Sequence, residues 1–181
     1  SENDPTTKLI GMDLDSFFGN GKYWTSVLAG NGKIYAAPYN AKQVLEINPY
    51  AERDNEGNDI NSEKDPTTQL IGSNLPDDHK YMTSVLAGNG KIYAAPAYAK
   101  KVLEINPDAK RDNEGNDINS ENDPTTKLIG DFSAILKYWT SVFAGNGKIY
   151  AAPYNTNKVL EIDPTGDTVT TKLIDTELSV S

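Results

Sequence analysis

The stretch KYWTSVLAGNGKIYAAP, residues 22–38, is written three times in the chain with few changes, and it decides the fold. The second copy spans residues 80–96 and the third spans residues 137–153, so equivalent positions are 58 and then 57 residues apart. Near-identical units at a regular spacing indicate one supersecondary module that stacks on copies of itself.

The residue types within each unit predict short antiparallel strands. Residues 23–29 are aromatic, β-branched or small and carry no charge, which is typical of a strand (A) covered on both faces. The Gly-Asn-Gly sequence at residues 30–32 favours a type I′ hairpin turn. Strand B, residues 33–37, ends at a proline, which cannot donate a ladder hydrogen bond. A turn at residues 39–42 then leads into strand C, residues 43–48.

A long polar tract separates strand C from strand D in two of the three units. It covers residues 50–64 in the first unit and residues 108–122 in the second. In the third unit residues 163–167 make the same connection almost directly. We therefore interpret the tract as an insertion at the tip of a hairpin, which the scaffold does not require.

Four meandering strands in each unit of about 58 residues predict β-propeller blades. The run at residues 32–40, followed by residues 44–49, resembles repeats of kelch-like and related propellers, in particular tandem repeats of unicellular algae. Kelch blades proper carry Gly-Gly after strand B, where this chain has Ala-Pro. The predicted fold class is all-β: three four-stranded propeller blades, half or part of a ring that is six-bladed when complete. They form one array over residues 1–181, with units at about residues 1–61, 62–119 and 120–181.

The strand count predicts a partner. Three sets of strands A, B and C accompany four D segments, which begin at Thr6, Thr67, Thr125 and Thr168. Three blades do not close a ring, and an open array leaves two apolar blade faces uncovered. We expect the partner to be either a second copy, which gives a two-fold dimer, or further blades of a longer parent chain. The first residues match the middle of later units, so any signal peptide would lie outside the sequence and the compartment stays open.

The composition argues against several classes of partner and site. Acidic residues outnumber Lys and Arg by 26 to 17, for a net charge of −9, so we do not expect nucleic acid as a partner. The absence of cysteine excludes a disulfide framework, a thiolate metal site and a cysteine nucleophile. No apolar run reaches the roughly 18 residues of a membrane span, so we expect a soluble chain that does not insert.

The predicted inner strands lack the groups that propeller enzymes use to hold catalytic metal. Strand A offers Thr, Ser, Val and Leu, without a carboxylate or a histidine. The sole histidine, His79, has no counterpart in the other units, and we interpret it as a surface residue. The sequence therefore predicts no catalytic residues, no cofactor and no enzyme, with a propeller hydrolase or lactonase as a minor alternative.

The polar tract has the outline of a calcium-binding loop. Residues 52–63 place oxygen ligands at alternate positions, a glycine at the sixth and a glutamate at the twelfth, as in an EF-hand. The aliphatic residue falls one place late, and the second copy begins with Lys110, so a mobile solvated loop is the favoured interpretation. The candidate calcium ligands are Asp54, Glu56, Glu63, Asp112, Glu114 and Glu121.

Repeated aromatic residues are candidate ligand contacts. Trp24 and Trp139 would form a sugar-stacking platform at the rim, but Met82 at the equivalent place favours packing between blades. Tyrosines in the B–C turns are better placed to contact a ligand. The candidate residues for binding a ligand or partner are Tyr39, Asn40, Tyr98, Tyr154, Asn155, Trp24 and Trp139.

A second repeated feature is a glutamate in strand C. Glu46, Glu104 and Glu161 recur among apolar neighbours, and we interpret them as structural, paired with a lysine or with a backbone group of an adjacent blade.

The leading functional hypothesis is a non-enzymatic binding or scaffold module. The D–A loops are the most divergent part of the three units, and variable loops on a constant frame are a common location for binding. A protein or glycan would then be bound by the D–A loops and B–C turns. The alternative is a carbohydrate-binding propeller, a lectin.

Overall fold

A computed structural model describes residues 9–14, 21–76, 79–132 and 137–175. This part of the chain contains strands and no helix. The strands are β1 (Val27–Leu28), β2 (Ile34–Ala36), β3 (Val44–Ile47), β4 (Thr68–Ile71), β5 (Val85–Leu86), β6 (Ile92–Ala94), β7 (Val102–Ile105), β8 (Thr126–Ile129), β9 (Tyr138–Phe143), β10 (Ile149–Pro153), β11 (Lys158–Asp163) and β12 (Thr170–Asp175).

The strands form three four-stranded antiparallel sheets, each a meander in chain order. Blade 1 is β1-β2-β3-β4, blade 2 is β5-β6-β7-β8 and blade 3 is β9-β10-β11-β12. The predicted fold class, all-β with three four-stranded blades, is confirmed. The first D segment, which begins at Thr6, lies mostly outside the described residues.

The hairpin between strands A and B differs from the predicted type I′ turn. Gly32 N donates to Ala29 O over 3.1 Å, and Ala29 N donates to Lys33 O over 2.9 Å. Gly32 has a φ of 81°, whereas Asn31 does not have a positive φ. This is a type I turn followed by a left-handed glycine, the bulged hairpin that right-handed strand twist also accepts. Asn31 is used differently from the prediction: its Oδ1 accepts a hydrogen bond from Lys33 N at 3.0 Å.

Strand A is shorter than predicted in the first two blades. Instead of a ladder over residues 23–29, blade 1 has the two residues of β1 and an isolated bridge between Tyr23 and Pro38. Blade 2 repeats this arrangement, and only β9 in blade 3 runs through six residues.

The hydrophobic core consists of two layers, one between each pair of neighbouring blades. The layer between blades 1 and 2 combines Tyr35, Val44 and Ile71 with residues such as Ile92 and Leu103. The second layer joins the corresponding residues of blades 2 and 3. Because side chains alternate along a strand, every blade uses one face toward the preceding blade and the other toward the following blade.

No helix in the described part of the chain is long and apolar enough to cross a membrane.

Candidate functional site

The B–C turns, the D–A loops and the starts of the A strands lie on one side of the molecule and present six rings there. We call this set the aromatic face; it consists of Trp24, Tyr39, His79, Tyr98, Trp139 and Tyr154.

Hydrogen bonds to the start of strand A hold each B–C turn in position. Tyr39 N donates to Lys22 O at 2.9 Å, and Tyr154 N donates to Lys137 O at the same distance. The tyrosine that opens strand A closes the loop from the other side, since the Tyr23 hydroxyl donates to Gln43 O at 3.1 Å. The turn tyrosines therefore project from a fixed backbone.

Four rings form a row across blades 1 and 2. The centroids of Trp24 and Tyr39 are 5.6 Å apart, and the ring of Tyr39 meets His79 edge-on at 4.8 Å. His79 then contacts Tyr98 at 5.4 Å. These separations lie within the range in which aromatic pairs attract each other.

His79 connects the two blades in this row, a role that the sequence did not suggest. It is exposed, as expected, but it is also the one non-glycine residue with a positive φ, 55°, in the described ranges. Its backbone N donates to Asn40 Oδ1 at 3.0 Å, so a predicted contact residue of blade 1 holds it. The sequence contained one signal of this role: in unit 2 the tyrosine of the B–C turn, Tyr98, stands one position later than Tyr39 does in unit 1.

Blade 3 carries a separate pair of rings. Trp139 and Tyr154 stack with centroids 3.7 Å apart and planes inclined by 11°. Both side chains are well exposed, at 41% and 55% of their maximal areas. Asn155, the next residue in the turn, is exposed as well. Both rings of the pair are therefore accessible to solvent.

The interpretation of the tryptophans as core between blades is wrong. Trp24 is 62% exposed, whereas Met82, at the same position in blade 2, is buried. The exchange of Trp for Met marks a real difference in environment: the tryptophan rings pack on the turn tyrosines, and the thioether packs inside.

The structure does not bring the candidate calcium ligands together. Asp54 Oδ1 accepts hydrogen bonds from Glu56 N at 3.0 Å and from Asn58 N at 2.8 Å, so the carboxylate caps its own turn. Hydrogen bonds from Asn58 lower the pKa of Asp54. Asp112 caps the equivalent turn in the same way, while Glu56, Glu63, Glu114 and Glu121 are exposed. Among the described residues, no group of three or more His, Cys, Asp or Glu side chains is placed to hold a metal ion.

The glutamates of strand C have the structural role that the sequence predicted. Glu46 accepts from Lys33 Nζ at 2.7 Å and from the Tyr35 hydroxyl at 2.8 Å. Glu104 and Glu161 accept from the equivalent lysine and tyrosine of their own blades. Burial raises the pKa of Tyr35, so its hydroxyl stays protonated and able to donate.

The polar tract of the second unit connects two blades, contrary to its interpretation as a dispensable solvated loop. Arg111 Nη2 lies 2.5 Å from Glu46 Oε2 of blade 1, and both side chains are largely buried. Backbone carbonyls of the tract also accept hydrogen bonds from blade 1. Gly72 N donates to Gly115 O at 3.4 Å, and Gln69 Nε2 donates to Asn113 O at 2.7 Å. The sequence analysis interprets this tract as a solvated loop or, less favoured, a calcium-binding loop, so it missed this contact.

Comparisons with known proteins give likenesses in structure alone. No protein-family model and no curated protein matches the sequence, and the kelch-like resemblance is not confirmed. A Bacteroides caccae protein of unknown function is similar, with 12% identity and a TM-score of 0.45 over 84% of this chain and 46% of its own. Virginiamycin B lyase from Staphylococcus aureus has 12% identity and a TM-score of 0.43 over 96% and 60% of the two chains. A streptogramin B lyase has 12% identity and a TM-score of 0.40 over 86% of this chain and 56% of its own.

These likenesses concern the fold, and this chain spans 46% to 60% of the length of the three structures. They correct one prediction. The chain was expected not to be an enzyme because its inner strands lack catalytic groups, yet two of the three similar structures are lyases.

Proposed function

We propose that the chain binds a ligand through the aromatic face. The observation that carries the proposal is the exposure of Trp24 and Trp139, near the starts of two A strands, and of Tyr154, in a B–C turn. Exposed large rings gathered on one side of a protein are typical of interaction sites, because they supply apolar contact area at low conformational entropy cost.

Charge supports a ligand that is neutral or that carries few negative groups. The chain has a net charge of −9, and the tryptophans and tyrosines contribute no charge of their own. A flat partially apolar partner, such as a saccharide ring or a peptide with an apolar stretch, fits this chemistry better than a polyanion does.

Carbohydrate recognition is a second candidate, and the Trp139–Tyr154 pair favours it. The two rings lie nearly parallel at 3.7 Å, and the pair offers a flat surface to the C–H face of a sugar. The pair has no equivalent in blade 2, where Met82 is buried, so each platform would act separately.

Tryptophan fluorescence tests the proposal directly. The chain has two tryptophans, and both belong to the aromatic face, so a change in selectively excited tryptophan emission reports on that face. We expect a glycan or peptide array to identify ligands whose binding shifts the emission. Removal of one stacking ring weakens such binding by about 1–2 kcal/mol, or roughly 5- to 30-fold.

The matched variants are Tyr154→Ala, within the face, and Tyr50→Ala, which removes a tyrosine that is 77% exposed at the opposite end of the strands. The first variant should weaken binding by this factor, and the second should leave it unchanged. Equal binding by both variants and the parent chain would show that the Trp139–Tyr154 pair is not the site.

A further inference from the structure

The two ends of the blade array expose surfaces that match each other. In blades 1 and 2, Tyr35 and Tyr93 are fully buried against the following blade. In blade 3 the equivalent face is open, and Val142 is 60% exposed. At the other end of the array, the face of blade 1 that corresponds to the surface with which blade 2 packs against blade 1 is partly open: Leu28 is 61% exposed there, whereas Ala36 and Leu45 are buried. Each open face thus repeats one half of an interface that occurs twice within the chain.

A polar contact accompanies each internal interface. Asn31 Nδ2 donates to Pro107 O of the following blade at 3.3 Å, and Asn89 Nδ2 donates to Pro164 O at 3.4 Å. Asn146 is the third member of this series, and in the described part of the chain its Nδ2 donates to the Tyr150 hydroxyl at 2.9 Å and to no carbonyl of another blade. The carbonyl that corresponds to Pro107 and Pro164 belongs to Pro49, on blade 1. Donor and acceptor therefore lie at opposite ends of the array.

The ion pair between blades 1 and 2 also has counterparts for its two members, one at each end of the array. Arg111, in the tract of blade 2, pairs with Glu46 on the preceding blade at 2.5 Å. Arg53 holds the same position in the tract of blade 1, where its guanidinium donates to Thr67 Oγ1 and to Pro49 O. Glu161, on the open face of blade 3, is the counterpart of Glu46 and is held by Lys148 and a tyrosine.

We propose that a second copy of this chain covers these faces head to tail. Blade 3 of one copy packs on blade 1 of the other, and Arg53 of one copy pairs with Glu161 of the other. Two such junctions close a six-bladed ring. Apolar faces of this kind already pack on each other twice within the chain, which specifies a second copy as the partner. The oppositely charged groups set in these faces specify the register.

One segment must move for the junction to form. Met12 N donates to Thr68 Oγ1 at 2.7 Å, just as Ser73 N, after the outer strand of blade 1, donates to Thr126 Oγ1 at 3.3 Å. Residues 9–12 thus lie where the end of β12 of the second copy would pack. A shorter chain that begins at Asp13 should associate at least as tightly as the full chain, and loss of its association would overturn the proposed junction.

Charge-reversal variants test the proposed pairing of Arg53 in one copy with Glu161 in the other. Light scattering on the 181-residue chain should give twice its 19.7 kDa at micromolar concentration. Arg53→Glu places two glutamates at each junction, and Glu161→Arg places two arginines there. Each variant alone should raise the dissociation constant at least about tenfold. Mixing the two variants creates an Arg–Glu pair at both junctions and should restore the double mass.

The mixture also controls for folding, since two misfolded chains would not restore an assembly. Lys110→Glu changes the charge of an exposed tract residue and should leave association unaltered. A monomeric parent chain would overturn the proposal. So would single variants that associate as the parent does, or a mixture that stays at 19.7 kDa after both single variants have dissociated.

Discussion

Neutralising Glu46 should destabilise the protein much more than neutralising Glu104. The two carboxylates have the same lysine and tyrosine partners within their blades, but only Glu46 meets an arginine from a neighbouring blade. The variants Glu46→Gln and Glu104→Gln therefore form a matched pair within one chain. Their difference isolates the cost of leaving Arg111 unpaired.

The magnitude follows from burial. The side chains of Glu46 and Arg111 are 4% and 11% exposed, and removing one partner of a buried pair costs about 3–5 kcal/mol. Lys91, the partner of Glu104, is 35% exposed, and such pairs contribute about 0–1 kcal/mol. We expect Glu46→Gln to exceed Glu104→Gln by about 3 kcal/mol. For a chain of this size that difference lowers the melting temperature by roughly 6–12 °C.

Thermal and urea unfolding at one fixed protein concentration measure the difference. A second change, Arg111→Met, made in the Glu46→Gln background should recover part of the lost stability, because no buried charge is then left without a partner. Equal melting temperatures for the two single variants would refute the view that the tract of blade 2 anchors blade 1.

Three further predictions concern the turns and the surface. Gly115→Ala should cost about 2 kcal/mol more than Gly90→Ala in urea unfolding, because both glycines have positive φ but only at Gly115 would a Cβ meet a backbone oxygen, at 2.5 Å. Hydrogen bonds from Thr165 and Lys148 lower the pKa of Asp163 to about 2. This residue therefore contributes stability above about pH 4 that is lost as the pH falls from about 4 to 2. In a pH series, the difference in unfolding free energy between the parent chain and Asp163→Asn should vanish in that window. Melting temperatures in chelator and in millimolar calcium should agree, because Asp54 is engaged in its own turn; a rise of several degrees with calcium would contradict this.

The repeat made the blades predictable, because strand periodicity, turn glycines and prolines are local signals, and three copies of each signal confirm one another. The structural role of the strand C glutamates was predictable for the same reason. The type of hairpin turn was not, since Gly-Asn-Gly suits more than one bulged geometry and the following strand pair selects among them.

The sequence by itself determined the elements of this protein: four short strands in each unit, their order, and the alternation that gives every blade two apolar faces. Tertiary structure decided what the polar and aromatic residues do. Arg111 in a tract that reads as solvent-exposed reaches a buried glutamate of another blade, while Trp24 in a strand that reads as core turns outward onto Tyr39. Both outcomes depend on distances between residues remote in sequence, which hydropathy and turn signals do not encode, because they report only on neighbours along the chain.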